Sequence, residues 1–296
     1  MNTLIREGPE APSARRTRPR GIPELIRLRH NPIGLLGMAI VLATVLTALL
    51  GPQLWRVNYA DQRAVRLLAP TSVHPLGTDT LGRDELSRVI HGAQVSLQVG
   101  IIAVLIALAL GTVIGVLTGF YRRALDAVLM RVVDVMFAFP GLVLAILIAG
   151  LLGPSRTNAM IAIGIVYAPA FARVVRGSTL SIFGLPFVEA ARSLGARDWW
   201  IIRRHILPNI LAPLIVLTTI YLSTSILAEA ALSFLGLGTQ PPEPSWGSML
   251  EASRAYMQQA PWLAVSPGLA IMIVVLGFNF LGDGLRDVFD PQLRDT

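Results

Sequence analysis

The sequence predicts an all-α integral membrane protein with six transmembrane helices, and three observations carry that prediction. Of its 296 residues, 53% are hydrophobic and only 15% charged, a balance too apolar for a soluble chain of this length. Several uncharged runs reach the ~20 residues that cross ~30 Å of hydrocarbon. The arginines fall unevenly on the two sides that these runs define. Cysteine and lysine are absent, so all 25 basic residues are arginine. Without cysteine there is no disulfide framework and no thiolate chemistry. Without lysine there is neither a P-loop nor a Schiff-base nucleophile, so this chain is not expected to be an enzyme and any ATPase must be another polypeptide. The net charge of +7 does not indicate nucleic acid, because no basic domain with interleaved aromatics stands outside the apolar runs.

The chain opens with a polar, Pro- and Arg-rich tail over residues 1–32, which lacks the apolar h-region of a signal peptide and reads as cytoplasmic. A short helix is expected there over Ile22–Arg29. The first span, Ile33–Leu50, is fenced by Pro32 and by Gly51-Pro52, and a polar segment follows it. An amphipathic helix is expected in that segment from Asp79 onward, with Leu86, Val89 and Ile90 on one side. The second span, Val95–Phe120, carries Ala103, Ala107, Gly111, Gly115 and Gly119 at intervals of four. Small residues on one helical face let another backbone approach closely in lipid, and a seam within the chain is the favoured use.

The third span, Val132–Leu152, is bent by Pro140, and Asp134 reads as a local ion pair with Arg131, three residues away. The fourth, Asn158–Arg173, is the shortest and contains Pro169. The fifth, Asn209–Leu232, and the sixth, Trp262–Leu281, are separated by a Pro-rich loop with a short helix around Met249–Met257. With the N-terminus inside, 18 of the 25 arginines lie on or near the inner side. The positive-inside rule therefore puts both termini in the cytoplasm.

Between the fourth and fifth spans lies the charged stretch EAARSLGARDWWIIRRHILPN, Glu189–Asn209. Val188, Ala191 and Leu194 fall at i, i+3, i+6, and Trp199, Ile202 and Ile206 at i, i+3, i+7. Gly195 stands between these two short helical patterns, where a sharp turn needs a positive φ. Pro208 suits the first turn of the helix that follows. The stretch is expected to form a helix–turn–helix knob on the inner membrane surface, charged side out. In the fifth span, Thr218, Tyr221, Ser225 and Glu229 share one helical face. A polar stripe in lipid faces protein or a watery cavity, so two readings stand open. Either it lines a translocation path, or its groups satisfy neighbouring helices and Glu229 sits at the outer surface.

These residues carry a family resemblance. Glu-Ala-Ala, three residues, Gly, then Leu207-Pro208 after eleven more resembles the cytoplasmic loop of ABC importer permeases, with His205 where that pattern usually has isoleucine. The stretches His74–Leu97, Ala231–Leu250 and Ser266–Arg294 extend the match to the C-type permease subunit of dipeptide/oligopeptide ABC importers. The resemblance implies an ABC importer type I permease (MetI-like) fold. It implies a core over residues 94–283 with spans two to six, preceded by a peripheral first helix and extracytoplasmic segment (33–93) and followed by a cytoplasmic tail (284–296). It implies a bacterial inner-membrane location and four kinds of contact: a homologous B-type permease, two ABC ATPase subunits that bind ATP and Mg, an extracytoplasmic peptide-binding protein, and membrane lipid. In the coupling loop it makes Glu189, Arg192 and Arg197 polar contacts to the ATPase, Ala190 and Ala191 points of close approach, and Gly195 the setter of the angle. Trp199 and Trp200 either anchor at the membrane interface or touch the ATPase.

Other chemistries find little support. His74, Asp79 and Asp84 match no strong metal-site spacing. No histidine lies deep in an apolar run to serve an intramembrane hydrolase. A proton-coupled carrier would need mid-membrane carboxylates and inverted repeats, which are not seen.

Overall fold

The computed structural model describes residues 31–289; the expected helix Ile22–Arg29 and the last residues, 290–296, lie outside that range. Among the described residues, five helices are long and apolar enough to cross a membrane, or six if one bent pair counts as a single span. The first, α1 (Pro32–Leu54), starts at Asn31, whose side chain accepts the Gly34 N–H at 2.9 Å. It continues through Pro52, past the expected end. The second, α2 (Glu85–Tyr121), is capped by Asp84 accepting the Ser87 N–H at 2.7 Å. Helix therefore begins at Glu85 rather than Asp79, because the Asp79 carboxylate closes a turn by accepting the N–H groups of Leu81 and Arg83. From Glu85 the amphipathic stretch and the second span form one 37-residue rod, about 55 Å long.

The third span is broken rather than bent. Helices α3 (Arg123–Phe137) and α4 (Gly141–Leu152) meet at 97°. Pro140 lacks a donor and pushes Phe139 out of the helical region, which ends α3. Helix α5 (Arg156–Phe183) runs ten residues beyond the expected end at Arg173. Arg173 and Arg176 do not stop it because both are paired to α3: Arg173 Nη2 to Asp134 at 2.9 Å, and Arg176 to Asp126 at 2.6 and 2.7 Å. The partner of Asp134 is thus Arg173 on another helix, not Arg131 on its own.

The small-residue stripe of α2 is an intrachain seam. Ala103, Ala107, Gly111, Gly115 and Gly119 are all buried. A β-carbon on Gly115 would lie 2.6 Å from the Ala172 carbonyl oxygen and from Val175 Cβ; one on Gly119 would lie 2.6 Å from Thr179 Cβ. Backbone contact of this kind is what glycine permits between helices in lipid.

The knob begins with α6 (Pro186–Ser193) and α7 (Asp198–Ile201), which lead into α8 (Leu207–Phe234). The Pro-rich loop holds α9 (Trp246–Ser253), opened by a capping box between Ser245 and Ser248, and then a single turn, Arg254–Tyr256. Helix α10 (Trp262–Phe289) closes the fold. The divisions at 93/94 and 283/284 fall inside α2 and α10. At the end remote from the knob, His74, Asp79 and Asp84 are taken up by their own segment. His74 Nδ1 lies 2.8 Å from Asp84, Trp55 Nε1–H donates to Asp84 at 3.1 Å, and Arg83 Nε–H donates to Asp79 at 2.6 Å.

Candidate functional site: the knob between the fourth and fifth crossings

Leu185 enters α6 in extended conformation and Pro186 fills its first turn, where a missing N–H is harmless. The helix ends in a Schellman motif. The Ala196 N–H reaches the Ala191 carbonyl at 3.0 Å and the Gly195 N–H reaches Arg192 at 2.9 Å. Gly195 has φ +77°, the left-handed value that such a stop requires. The chain then turns into α7, passes through one π turn, Ile202–Ile206, and joins α8 with Pro208 in its first turn. The second piece of the knob is therefore not a separate helix: Asp198–Phe234 runs on as one element with the fifth span.

The apolar residues form the underside. Val188, Ile201, Ile206 and Ile210 are fully buried and join a core with Phe120, Phe171, Val175 and Ile182. The upper side is open. Glu189, Ala190, Arg192, Gly195 and Arg197 are exposed, Ala191 and Leu207 are half-buried, and Pro208 is exposed. Trp199 is 66% exposed and Trp200 is 49% exposed. Among the described residues, none of Glu189, Arg192, Arg197, Asp198, Arg203 or Arg204 makes an ion pair. Arg192 instead rests over the Phe183 ring at 4.7 Å, and Arg122 lies over the same ring at 4.4 Å. The ring of His205 packs against Trp200 and Phe187, and its backbone carbonyl accepts from Asn209 at 2.6 Å. A surface with exposed indoles and unpaired charges on a fully apolar foundation is suited to a protein partner.

The polar stripe of α8 divides. Thr218 and Tyr221 are half-buried, and the Tyr221 ring contacts Tyr167 and Phe171 at 5.0 and 5.2 Å. Ser225 is buried and donates to the Gly100 carbonyl of α2 at 3.2 Å. Glu229 is not at a surface: it is enclosed and accepts from Ser96 Oγ at 2.9 Å and Ser233 Oγ at 2.7 Å. Ser96 in turn accepts the Trp246 N–H at 3.3 Å, and Ser233 accepts the Thr239 N–H at 3.1 Å. Glu229 thus clamps the Pro-rich loop to α2 and α8. Trp246, inserted beside Gly92 with its indole N–H on the Val89 carbonyl at 3.1 Å, completes the clamp. Ser96 and Trp246 fall within stretches that carry the family resemblance, but nothing in the sequence pairs them, since their partners lie more than 130 residues away.

Residues 111–295 match the family described as binding-protein-dependent transport system inner membrane component. The chain belongs to that family. Residues 25–70 of this permease also match the N-terminal TM domain of oligopeptide transport permease C. It is 46% identical over 269 residues to the dipeptide transport system permease protein DppC of Alkalihalophilus pseudofirmus, covering 90% of this chain and 88% of the relative. It is 51% identical over 225 residues to the glutathione transport system permease protein GsiD of Escherichia coli O6:K15:H31, covering 76% and 74%. In fold it is similar to the inward-facing MetNI methionine ABC transporter, with a TM-score of 0.56 at 21% identity, over 68% of this chain and 96% of that one. The all-helical permease is a multi-pass membrane protein with the MetI-like architecture expected from its sequence.

Proposed function

We propose that this permease forms half of the translocation pathway of an ATP-driven importer for di- or oligopeptides, and that its knob couples the pathway to cytoplasmic ATPase subunits. The observation that carries the proposal is the knob itself: unpaired charges and exposed indoles stand on a buried apolar base continuous with the fifth span. In this reading Glu189, Arg192 and Arg197 meet polar groups of the ATPase, Ala190 and Ala191 admit close approach, and Gly195 fixes the angle. Leu207 and Pro208 begin the helix that receives the motion. ATP and Mg are held by the two partner ATPases, because the chain has no lysine for a P-loop. A homologous B-type permease supplies the other half of the path, and an extracytoplasmic binding protein delivers the solute.

The charge distribution supports cytoplasmic termini, with the knob on the same side. Thr218 and Tyr221 are the members of the stripe that reach toward the route, while Ser225 and Glu229 hold its wall. The peptide assignment draws on the dipeptide and glutathione permeases among its relatives. The test is uptake of labelled Ala-Ala into proteoliposomes holding the permease with its cognate subunits and binding protein. Uptake that requires ATP and survives a protonophore is expected. Uptake that survives ATP depletion and vanishes with the proton gradient would overturn the proposal.

A further inference from the structure

We infer that Asp134 and Arg173 form a charge-paired station for a zwitterionic solute on the translocation route, an assignment that rests on the importer reading. Arg173 lies ten residues before the knob end of α5, about 15 Å along the helix. Its neighbour Ala172 forms the backbone contact with Gly111 and Gly115, so the pair sits at the depth of the apolar spans. Yet the two side chains are 53% and 59% exposed. Charges at that depth do not face acyl chains; they face protein or water.

The bonding separates this pair from its neighbour one turn away. Arg176 grips Asp126 with two bonds, of 2.6 and 2.7 Å, and both side chains are largely covered. That pair fastens α3 to α5. Arg173 and Asp134 share a single bond of 2.9 Å, which leaves one carboxylate oxygen and further guanidinium N–H groups open. A second subunit sealing them in a dry interface would have to satisfy each open group, whereas a watery route does so without any partner. The Phe137 ring, 4.1 Å from the Arg173 guanidinium, holds that group in place when the carboxylate lets go.

The chemistry fits the two ends of a free peptide. An ammonium group pairs with Asp134 and a carboxylate with Arg173, so one ion pair is exchanged for two and the net charge stays at zero. With no solute present, the side chains neutralise each other. Neither state leaves an isolated charge within the spans, which is the condition for passing a zwitterion through a low-dielectric region.

Because the chain contains no cysteine, an Asp134→Cys substitution gives this subunit a single thiol, whose labelling in the assembled transporter in membrane vesicles is read on this subunit after the subunits are separated. The station predicts reaction with the membrane-impermeant reagent methanethiosulfonate ethylsulfonate, and no reaction of Val133→Cys, which is buried. It also predicts that Asp134→Asn and Arg173→Gln each lower Ala-Ala uptake about tenfold at saturating binding protein, with ATP hydrolysis retained. The exchanged double variant Asp134→Arg/Arg173→Asp should remain slow, since it presents the ion pair in the wrong places. An unreactive thiol in the Asp134→Cys variant, wild-type uptake by either single variant, or full rescue by the exchange would overturn the assignment; rescue would show a fastener like Asp126–Arg176. If the wild-type complex fails to carry Ala-Ala, the peptide reading falls instead, and labelling of the Asp134→Cys variant still decides whether the pair lines a watery route.

Discussion

Gly195 offers the sharpest test of the knob. A β-carbon added there would meet no atom within 4 Å, so Gly195→Ala changes nothing by contact. What it changes is the cost of φ +77°. An L-residue held in the left-handed region costs about 1–2 kcal/mol relative to the ordinary helical region. Helix α6 has only eight residues and an open upper face, too short to be stable without its surroundings. The strain therefore passes largely into the turn, and affinity for the ATPase subunits should fall about five- to thirtyfold. Gly195→Asn should stay near wild type because asparagine tolerates this conformation. Gly195→Pro, with φ fixed near −65° and no N–H for the Arg192 carbonyl, should abolish association while leaving membrane insertion intact. The assay is titration of purified ATPase subunits against each variant in nanodiscs. Helix propensity alone would rank Ala best and Gly poorly. If Ala bound as tightly as Gly, or Pro bound at all normally, the Schellman stop would not be what shapes the dock.

Four further outcomes follow from the same geometry. Glu189→Lys should insert normally yet lose the ATPase; co-purification of the usual amount would remove Glu189 from the docking surface. Gly115→Leu should drive α2 and α5 apart, since even a β-carbon would lie 2.6 Å from the Ala172 carbonyl oxygen. A loss of about 1–3 kcal/mol, or failure to fold, should appear in thermal unfolding of the detergent-solubilised permease, and an unchanged melting temperature would place the seam elsewhere. Trp246→Ala should cost about 3–5 kcal/mol locally and loosen α9 and the turn after it, so that trypsin cleaves faster at the already exposed Arg254, with unchanged proteolysis counting against the clamp. Glu229→Gln should keep one serine on its amide oxygen and offer its amide N–H to the other, whereas Glu229→Leu strands both the Ser96 and Ser233 hydroxyls and should raise the same cleavage further; equal cleavage of the two variants would refute the hydrogen-bonded role.

What was legible in the sequence was local. Apolar runs set the crossings, Gly195 between two periodic stretches set the turn, and five small residues four apart set the seam. Each signal lies within one or two helical turns or repeats along a single face. What was missed depends on contacts across the chain. Asp134 has an arginine three residues away, the spacing of a helical pair, yet the break at Pro140 sets α3 against α5 and hands the carboxylate to Arg173. Glu229, which one of the two readings of the stripe puts at the outer surface, is enclosed because a loop returning after it brings Thr239 and Trp246 onto the serines bonded to it. The start of α2 was misplaced for a smaller reason. Asp79 and Asp84 are both credible caps in sequence, and only the turn that Asp79 closes with Leu81 and Arg83 distinguishes them.

The π turn shows why the knob and the fifth span should act as one body under the proposed function. Ile202, Ile206 and Ile210 are buried at successive intervals of four, a spacing that drifts around an ordinary α-helix. A wider turn over Ile202–Ile206, closed by the Leu207 N–H on the Ile202 carbonyl, keeps them facing the same core. That core also holds Val188 from α6 and Val175 from α5, so both arms of the knob share one foundation. A push on the exposed face of α6 or α7 therefore cannot be absorbed by bending at the junction without opening buried isoleucine contacts. It must turn α8 itself, with Thr218 and Tyr221 farther along the same helix, and in that way a load on the surface reaches the wall of the route.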